Sequence, residues 1–599
     1  MKKINLFIVL VFSLTLVYGQ ADKRLKNIDK DLNAILKATK AAGFSVAVVD
    51  GDKIIYSKGF GYKDYENKIP VDANTLFAIG SSTKAFTSAL LGILSYKDSL
   101  SLDDSPIKYV PKLKFYNDNL NNNIIIKDLM RHSTGLPRHD LSWYLFPSAD
   151  KDSLIDRIVY QQPFTGLRQE WHYNNFMFLV QGVIAEKITG ISWEDNIRSR
   201  FFQPLKMNHS RTSLADLKND TNVSLGYELD KDEHIAKMDY YDISGMSPAG
   251  SIYSSANDMA QWLKLWINKG KLGDTQILPE NYVNEAISSQ MVTTGALPDT
   301  ENPDLHFSNY GYGWMLSSFK GHYRVEHGGN IDGFSANVAF FPSDSIGIVV
   351  LTNQNGSSLP NLVRNTIADR LLNVKKTDWI KSFLDRKEKA KKMEEELKLE
   401  ETATTQVANT RPSHAMYDYT GSYENPGYGK FDVNIENDSL FAQFKRSKVY
   451  LKHYHYDVFQ PFQIKNSKID TTDVGLMFLN FSTGDGGAIT NVSLKAETTL
   501  DPISFKRTPN TIEVSSNDLQ KYVGDYSLMG ATLKIYIKKE NVLYLFVPGQ
   551  PEYELVPTDK NKFSLKIADG FKVEFLETDG VITDLNLMQP NGTFKAKKV

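Results

Sequence analysis

The sequence predicts a multidomain α+β protein, with one large domain of mixed strands and helices followed by two small all-β barrel domains. Three observations predict this. Strand-like hairpins stand at both ends of residues 21–374 with helical stretches between them, a run dominated by charge follows at 380–401, and the remainder is β-rich and repeats itself. The composition of the 599 residues, 41% hydrophobic and 23% charged, excludes a disordered or fibrous chain. Lys and Arg number 69 against 71 Asp and Glu, a net charge of −2 that gives no reason to expect nucleic acid. There is no cysteine, which excludes disulfides, thiolate catalysis, iron–sulfur clusters and Cys-ligated zinc. Covalent catalysis would need another nucleophile.

Residues 1–19 have a basic start at Lys2 and Lys3, an apolar run from Ile4 to Val17 and a small residue at Gly19. That is the pattern of a secretory signal peptide. The run is shorter than the ~20 apolar residues of a membrane span, so cleavage and export to the periplasm or medium of a bacterium are expected, with no span remaining. Phe44 to Val49 and Lys53 to Tyr56 read as a hairpin around Asp50-Gly51-Asp52. Ser335 to Phe341 and Ile346 to Thr352 read as a second hairpin. Between them, helices are expected from Ser81 to about Tyr96, from Asn175 to Ile188 with Gly190 at the left-handed C-cap, and from Ser255 to Lys269-Gly270. Strands at both ends with helices between suggest one sheet that the two ends complete. This large domain is assigned to residues 20–375.

Residues 376–412 read as a charged linker whose 380–401 portion is a solvated helix. Beyond it, Tyr419-Thr420-Gly421-Ser422-Tyr423 matches Tyr522-Val523-Gly524-Asp525-Tyr526 at an offset of 103, and Leu440 to Phe444 matches Leu543 to Val547 at the same offset. Two copies are too few for a solenoid. Short strands with Gly and Asn/Asp turns predict two barrel-like domains, at 413–508 and 509–599.

The chemistry concentrates in the large domain. Ser81 and Lys84 are three residues apart at the start of a helix and so share a face. The helix N-terminus favours an anionic transition state. A partly desolvated lysine loses its proton more readily, and Ser–Lys is an alternative to Ser–His for activating a hydroxyl. Tyr173, before the second helix, could take the Ser81 proton and hand it to a leaving group. The glycines of His327-Gly328-Gly329 would let a substrate backbone approach an edge strand.

With these residues in place, the sequence resembles the serine β-lactamase and penicillin-binding-protein-like hydrolases, in particular the branch with class C β-lactamases, D-aminopeptidases and esterases. The resemblance covers roughly residues 30–374. It is carried by Gly80-Ser81-Ser82-Thr83-Lys84, Leu129 to Pro137, Tyr173-Asn174-Asn175, Pro248 to Asp258, Tyr310 to Trp314 and His327 to Ser335. It implies a β-lactamase/transpeptidase-like fold, an antiparallel sheet with helices on both faces plus a helical subdomain. It implies Ser81 as acyl-accepting nucleophile and Lys84 with Tyr173 as the proton-handling pair. Asn175 would position the substrate amide, and the N–H groups of Ser81 and Asn330 would form the oxyanion hole. His327, Gly329 and Asn330 are counted with Asn175 as substrate-binding residues.

The family's penicillin-recognising members usually carry Lys-Thr-Gly where this chain has His327-Gly328-Gly329. Losing that cation and hydroxyl implies weak β-lactam turnover. The His-x-Gly form resembles D-aminopeptidases and several esterases of the family, and a bacterial D-aminopeptidase of the family also has two C-terminal antiparallel barrels. Ser82 is read as helix surface, His132 as a supporting hydrogen-bonder and Asp332 as a turn residue. For His327, substrate contact and gap-filling both stay open. The Tyr450–Phe462 segment is expected to supply barrel core, and no metal site is expected at His453 and His455. The expected function is an exported serine hydrolase of small peptides, amides or esters, cell-wall-derived ones among them, needing no cofactor or metal. A peptidase of D-aminopeptidase type leads. An esterase, a weak β-lactamase and a catalytically silent binding or regulatory protein are the alternatives.

Overall fold

The computed structural model describes residues 22–97, 99–293, 298, 303–400, 406–465, 468–474, 477–508, 511–512, 514–538, 542–566, 571–589 and 592–599. The signal peptide expected at 1–19 lies outside them. Among the described residues, no helix is long and apolar enough to cross a membrane. The described residues form two compact units, one within 22–110, 125–132 and 177–391 and one within 111–124, 133–176 and 392–599.

The first unit is built on an antiparallel sheet of nine strands. These are β1 (Gly43–Asp50), β2 (Lys53–Asp64), β3 (Ile69–Pro70), β4 (Met291–Val292), β5 (Ser308–Tyr310), β6 (Met315–Phe319), β7 (His322–Ile331), β8 (Phe334–Phe341) and β9 (Ile346–Thr352). Their order is β4-β5-β6-β7-β8-β9-β1-β2-β3. The two ends of the domain do complete one sheet, since Val46 of β1 pairs with Val350 of β9. Every residue of β8 and β9 is buried. That is why these strands read as unbroken apolar runs rather than alternating ones.

Helices cover both faces. α1 (Ile28–Thr39), α2 (Lys84–Tyr96), α3 (Asn175–Thr189), α4 (Ala256–Ile267), α5 (Leu359–Leu371) and α6 (Trp379–Glu400) are the long ones. Leu32 and Ile35 of α1 and Leu362, Val363 and Ile367 of α5 share one core with Val46, Val48, Ile348 and Val350. On the other face, Leu263 and Ile267 of α4 crowd Gly347 so closely that a Cβ there would lie 3.0 Å from each. Trp262 of α4 stacks on Phe86 of α2 at 3.8 Å. The expected C-cap is in place, Gly190 having φ 73°, and Ser255 caps α4 by accepting from the Asp258 N–H.

α6 is the expected solvated helix along residues 384–396, which are all exposed, but its first turn is not. Trp379, Ile380 and Phe383 pack against the core, and Trp379 Nε1 donates to Asp369 at 2.9 Å. Three apolar side chains at 379, 380 and 383 form a short stripe that the charge-rich composition of the segment conceals.

In the second unit the repeats are real. The first β-domain comprises β10 (Gly421–Asn425), β11 (Gly429–Glu436), β12 (Ser439–Gln443), β13 (Lys448–His455), β14 (Val458–Lys465), β15 (Lys468–Val474), β16 (Leu479–Thr483), β17 (Ile489–Leu494) and β18 (Ile503–Thr508). The β13–β14 pairing closes eight of these into a ring, with β15 added at the side of β14. The second is a closed barrel of β19 (Gly524–Leu528), β20 (Ala531–Lys538), β21 (Val542–Phe546), β22 (Glu552–Asp559), β23 (Lys562–Leu565), β24 (Lys572–Thr578), β25 (Val581–Gln589) and β26 (Gly592–Lys598). From Tyr450 to Phe462 the barrel core takes Leu451 and Phe459, whereas Tyr450, Tyr454 and Tyr456 are not buried and Phe462 packs by Tyr450 outside that cluster. His453 Nε2 meets the Tyr456 carbonyl at 2.9 Å, and His455 Nδ1 accepts from the Val407 N–H.

The matched sequence segments have the same physical job. Tyr423 Oη donates to the Tyr419 carbonyl at 2.7 Å, and Tyr526 Oη donates to the Tyr522 carbonyl at 2.8 Å. The intervening Gly421 and Gly524 have φ of 147° and 150°, conformations that favour glycine. Each tyrosine thus ties its first strand to the turn before it from inside a barrel. Tyr423→Phe and Tyr526→Phe should each cost about 1 kcal/mol. Differential scanning calorimetry should then show the corresponding barrel transition lowered by about 4–8 °C, with a similar shift in both variants.

Candidate active site

From Thr75 to Leu94 every residue is buried except Ser81, which is partly exposed. A single 3₁₀ turn, Gly80–Thr83, presents it and leads into α2. Burial of α2 on all sides follows from its sequence, since between Ala85 and Leu94 only Thr87, Ser88 and Gly92 interrupt apolar residues. The polar interruptions are satisfied: Thr87 Oγ1 donates to the Pro248 carbonyl at 2.7 Å and Ser88 Oγ to Gln181 at 3.1 Å.

Lys84 is wholly buried. Its Nζ donates to Ser81 Oγ at 3.0 Å and to the Ala249 carbonyl at 2.8 Å. The Phe178 ring lies 5.3 Å away. A buried amine needs such partners, because leaving one unpaired costs several kcal/mol. The Pro248–Asp258 motif therefore acts through a backbone carbonyl, fixing Lys84 where it can meet the serine.

Strand β7 lies against the Ser81 turn. A Cβ on Gly329 would stand 1.8 Å from the Ile79 oxygen and 3.3 Å from Ser81 N, and one on Gly80 would stand 2.9 Å from Asn330 N. The glycines are thus required for backbone-to-backbone contact, and Gly80, with φ 50°, also for its conformation. This contact brings the backbone of the Ser81 turn against that of Gly329 and Asn330. Asn330 Oδ1 is occupied elsewhere, accepting from Ser335 Oγ at 3.0 Å and Gly356 N at 2.8 Å.

Ser82 is not helix surface. It is buried, and its Oγ donates to the His327 carbonyl at 3.0 Å. It joins the turn to β7, a role open to it because α2 has no solvent face. His327 is also buried, with Nε2 bonded to Tyr310 Oη at 2.9 Å and Nδ1 to the Gly328 oxygen at 2.6 Å. Burial, with the charge of Lys84 adding to it, pulls its pKa down to about 4. The geometry thus favours gap-filling over substrate contact. His132 is buried too, its ring 5.1 Å from that of Phe178 and 5.0 Å from that of Tyr310. Beside His327, burial works to raise the Glu326 carboxyl, but Arg324 and Arg364 outweigh it and hold it at about 2. Asp332 and Gly333 form the turn between β7 and β8, with Ile331 paired to Phe334.

Tyr173 and Asn175 belong to the second unit. Asn175 opens α3, and its Nδ2 donates to Asp140 Oδ1 at 2.8 Å. The Arg138 guanidinium lies 4.8 Å above the Tyr173 ring, and Asn174 Nδ2 donates to the Pro137 carbonyl at 2.6 Å. Arg138 Nε in turn donates to Asp140 Oδ2 at 2.6 Å. The structure therefore groups the candidate residues in two sets, Ser81, Lys84, His327, Gly329 and Asn330 in the first unit, and Tyr173 and Asn175 in the second. Sequence reasoning missed Arg138, Asp140, Tyr310 and the Ala249 carbonyl as supports. Arg138 and Asp140 directly follow the Leu129–Pro137 motif, which was the available signal.

Gly329→Ala should force β7 off the Ser81 turn and slow reaction of Ser81 by about 10²-fold; the rate of labelling by a fluorophosphonate reports it. Stability should also depend on His327. In the unfolded chain its pKa returns to about 6.5, whereas the folded site resists protonation down to about 4. As pH falls from 6.5 towards 4 the unfolded state gains a proton that the folded state does not, so stability is lost over that window. The thermal midpoint of His327→Gln should fall less steeply over this range than that of the natural protein.

The family model described as Beta-lactamase matches residues 28–372. A second, a domain of unknown function (DUF3471), matches residues 405–507. The unguisins hydrolase ungD' of Aspergillus campestris is 28% identical over 456 residues, 70% of this chain and 80% of the relative. Protein flp of Staphylococcus aureus is 25% identical over 363 residues, 60% of this chain and 69% of its own length. The octameric penicillin-binding protein homologue from Pyrococcus abyssi superposes with a TM-score of 0.54 at 21% identity, over 80% of this chain and all of that one. A serine raised alone from a buried turn, a buried lysine on its hydroxyl and a glycine strand against its backbone thus accompany a match over more than half the chain: the protein belongs to the Beta-lactamase family.

Proposed function

We propose that this protein is a serine hydrolase that works through an acyl-enzyme on Ser81. The observation that carries the reading is the 3.0 Å hydrogen bond from the buried Lys84 Nζ to the one partly exposed hydroxyl of its segment. In the proposed cycle Ser81 Oγ bonds to the carbonyl carbon of an amide or ester. Its proton passes to the Lys84–Tyr173 pair and from there to the departing amine or alcohol. The N–H groups of Ser81 and Asn330 would stabilise the oxyanion, and Asn175 would orient the substrate amide. Water then splits the Ser81 ester and restores the hydroxyl.

The substrate class we propose is a small peptide or amide, in the manner of a D-aminopeptidase, with an ester as the alternative. Two points support this over β-lactam turnover. His327 replaces the lysine of the penicillin-recognising members, and with its pKa near 4 it offers no cation for a β-lactam carboxylate at neutral pH. In addition, one similar protein is named as a hydrolase of unguisins. We further propose export, with residues 1–19 removed as a signal peptide.

The test is a hydrolysis panel on residues 21–599, using D- and L-alanine p-nitroanilides, a short-chain p-nitrophenyl ester and a chromogenic cephalosporin, with Ser81→Ala as blank. The expected result is anilide cleavage at least 10³-fold above the blank and little cephalosporin turnover. Cleavage of the ester alone would move the assignment to an esterase. Full activity in Ser81→Ala would end the reading.

A further inference from the structure

The second unit contains more than two barrels; it also contains residues 133–176, with Tyr173 and Asn175. The first barrel grips this segment at four points. Phe146 is buried in the barrel core, its ring 5.7 Å from Phe505 and 5.8 Å from Phe444. Ser142 Oγ donates to the Gly427 carbonyl at 2.7 Å. Tyr428 Oη meets His139 Nδ1 at 2.9 Å, and the Glu497 carboxylate accepts the His139 backbone N–H. His139 is wholly buried and has a positive φ of 48°, so the turn is held in a conformation that most residues avoid.

The residues on either side of His139 are Arg138 and Asp140. Asp140 accepts from Asn175 Nδ2 and from Trp143 Nε1, both at 2.8 Å, and pairs with Arg138 at 2.6 Å. Arg138 lies over Tyr173. A continuous line of contacts therefore runs from Tyr428 and Glu497, through the turn 138–140, to Tyr173 and Asn175. We infer that the first barrel sets the geometry of Tyr173 and Asn175, with Tyr428, Glu497 and Asp140 as positioning residues. This rests on the proposed roles of Tyr173 and Asn175. Its physical ground is that a strained turn keeps its shape only where its surroundings over-determine it, and that small displacements of catalytic groups cost large factors in rate.

The experiment uses the full chain with Tyr428→Phe and Glu497→Ala combined, and with Glu497→Gln, which keeps an acceptor for the His139 N–H. Two quantities are read: the rate of Ser81 labelling by a fluorophosphonate, and hydrogen–deuterium exchange of the 171–176 segment. The double variant should label about tenfold more slowly and exchange faster at 171–176, with barrel 1 still melting cooperatively, whereas Glu497→Gln should stay near the natural rate. Added to Tyr173→Phe, the double variant should cause little further loss. Unchanged exchange at 171–176 in the double variant would overturn the inference, as would a full tenfold further loss in the Tyr173→Phe background. Natural labelling by Tyr173→Phe alone would instead fault the proposed proton role, and exchange at 171–176 would still decide whether the barrel holds the segment.

Discussion

The architecture around Ser81 depends on keeping one amine out of water. Lys84 Nζ is held between Ser81 Oγ and the Ala249 carbonyl, and neither bond is strong enough to offset desolvation unless the surroundings are fixed. The first unit supplies that fixity through α2, which is buried all round, and through α4 and Trp262 stacked on Phe86. The glycines of β7 let a strand backbone lean directly on the Ser81 turn. Replacing any of these with bulkier or more polar groups would loosen the enclosure that makes the serine–lysine contact persistent.

A second constraint is that so much polar machinery is buried with it. Ser82 bridges to β7, Tyr310 pins His327, and Arg324, Arg364 and Asn337 surround Glu326. Two of these bonds join distant stretches of sequence, Ser82 to His327 and Arg364 to Glu326. Such networks have little tolerance for partial disruption, because an orphaned buried group costs more than its hydrogen bond contributed.

The elements with strong local signals were legible in the sequence. Both hairpins of the sheet, the three longest central helices, the C-cap at Gly190 and the barrel repeat are set by apolar runs, caps and turn glycines that act over a few residues. The contact between Ser81 and Lys84 was legible because the two residues sit three apart on one turn. What was not legible depends on distant partners. Ser82 carries no mark of its buried bridge to His327, and the stripe of Trp379, Ile380 and Phe383 is outnumbered by the charges after it. The link between the barrel and the turn 138–140 joins residues 289 apart in the chain, and a single sequence has no periodicity that reports such a pair.

The central claim is that Ser81, activated by Lys84, forms a covalent bond to its substrate. The most direct measurement is intact-protein and peptide mass spectrometry after incubation with a fluorophosphonate. The account predicts one adduct per chain, located on Ser81, that is absent from Ser81→Ala and strongly slowed in Lys84→Ala. An adduct on Ser82 or elsewhere, or equal labelling without the Lys84 amine, would contradict it.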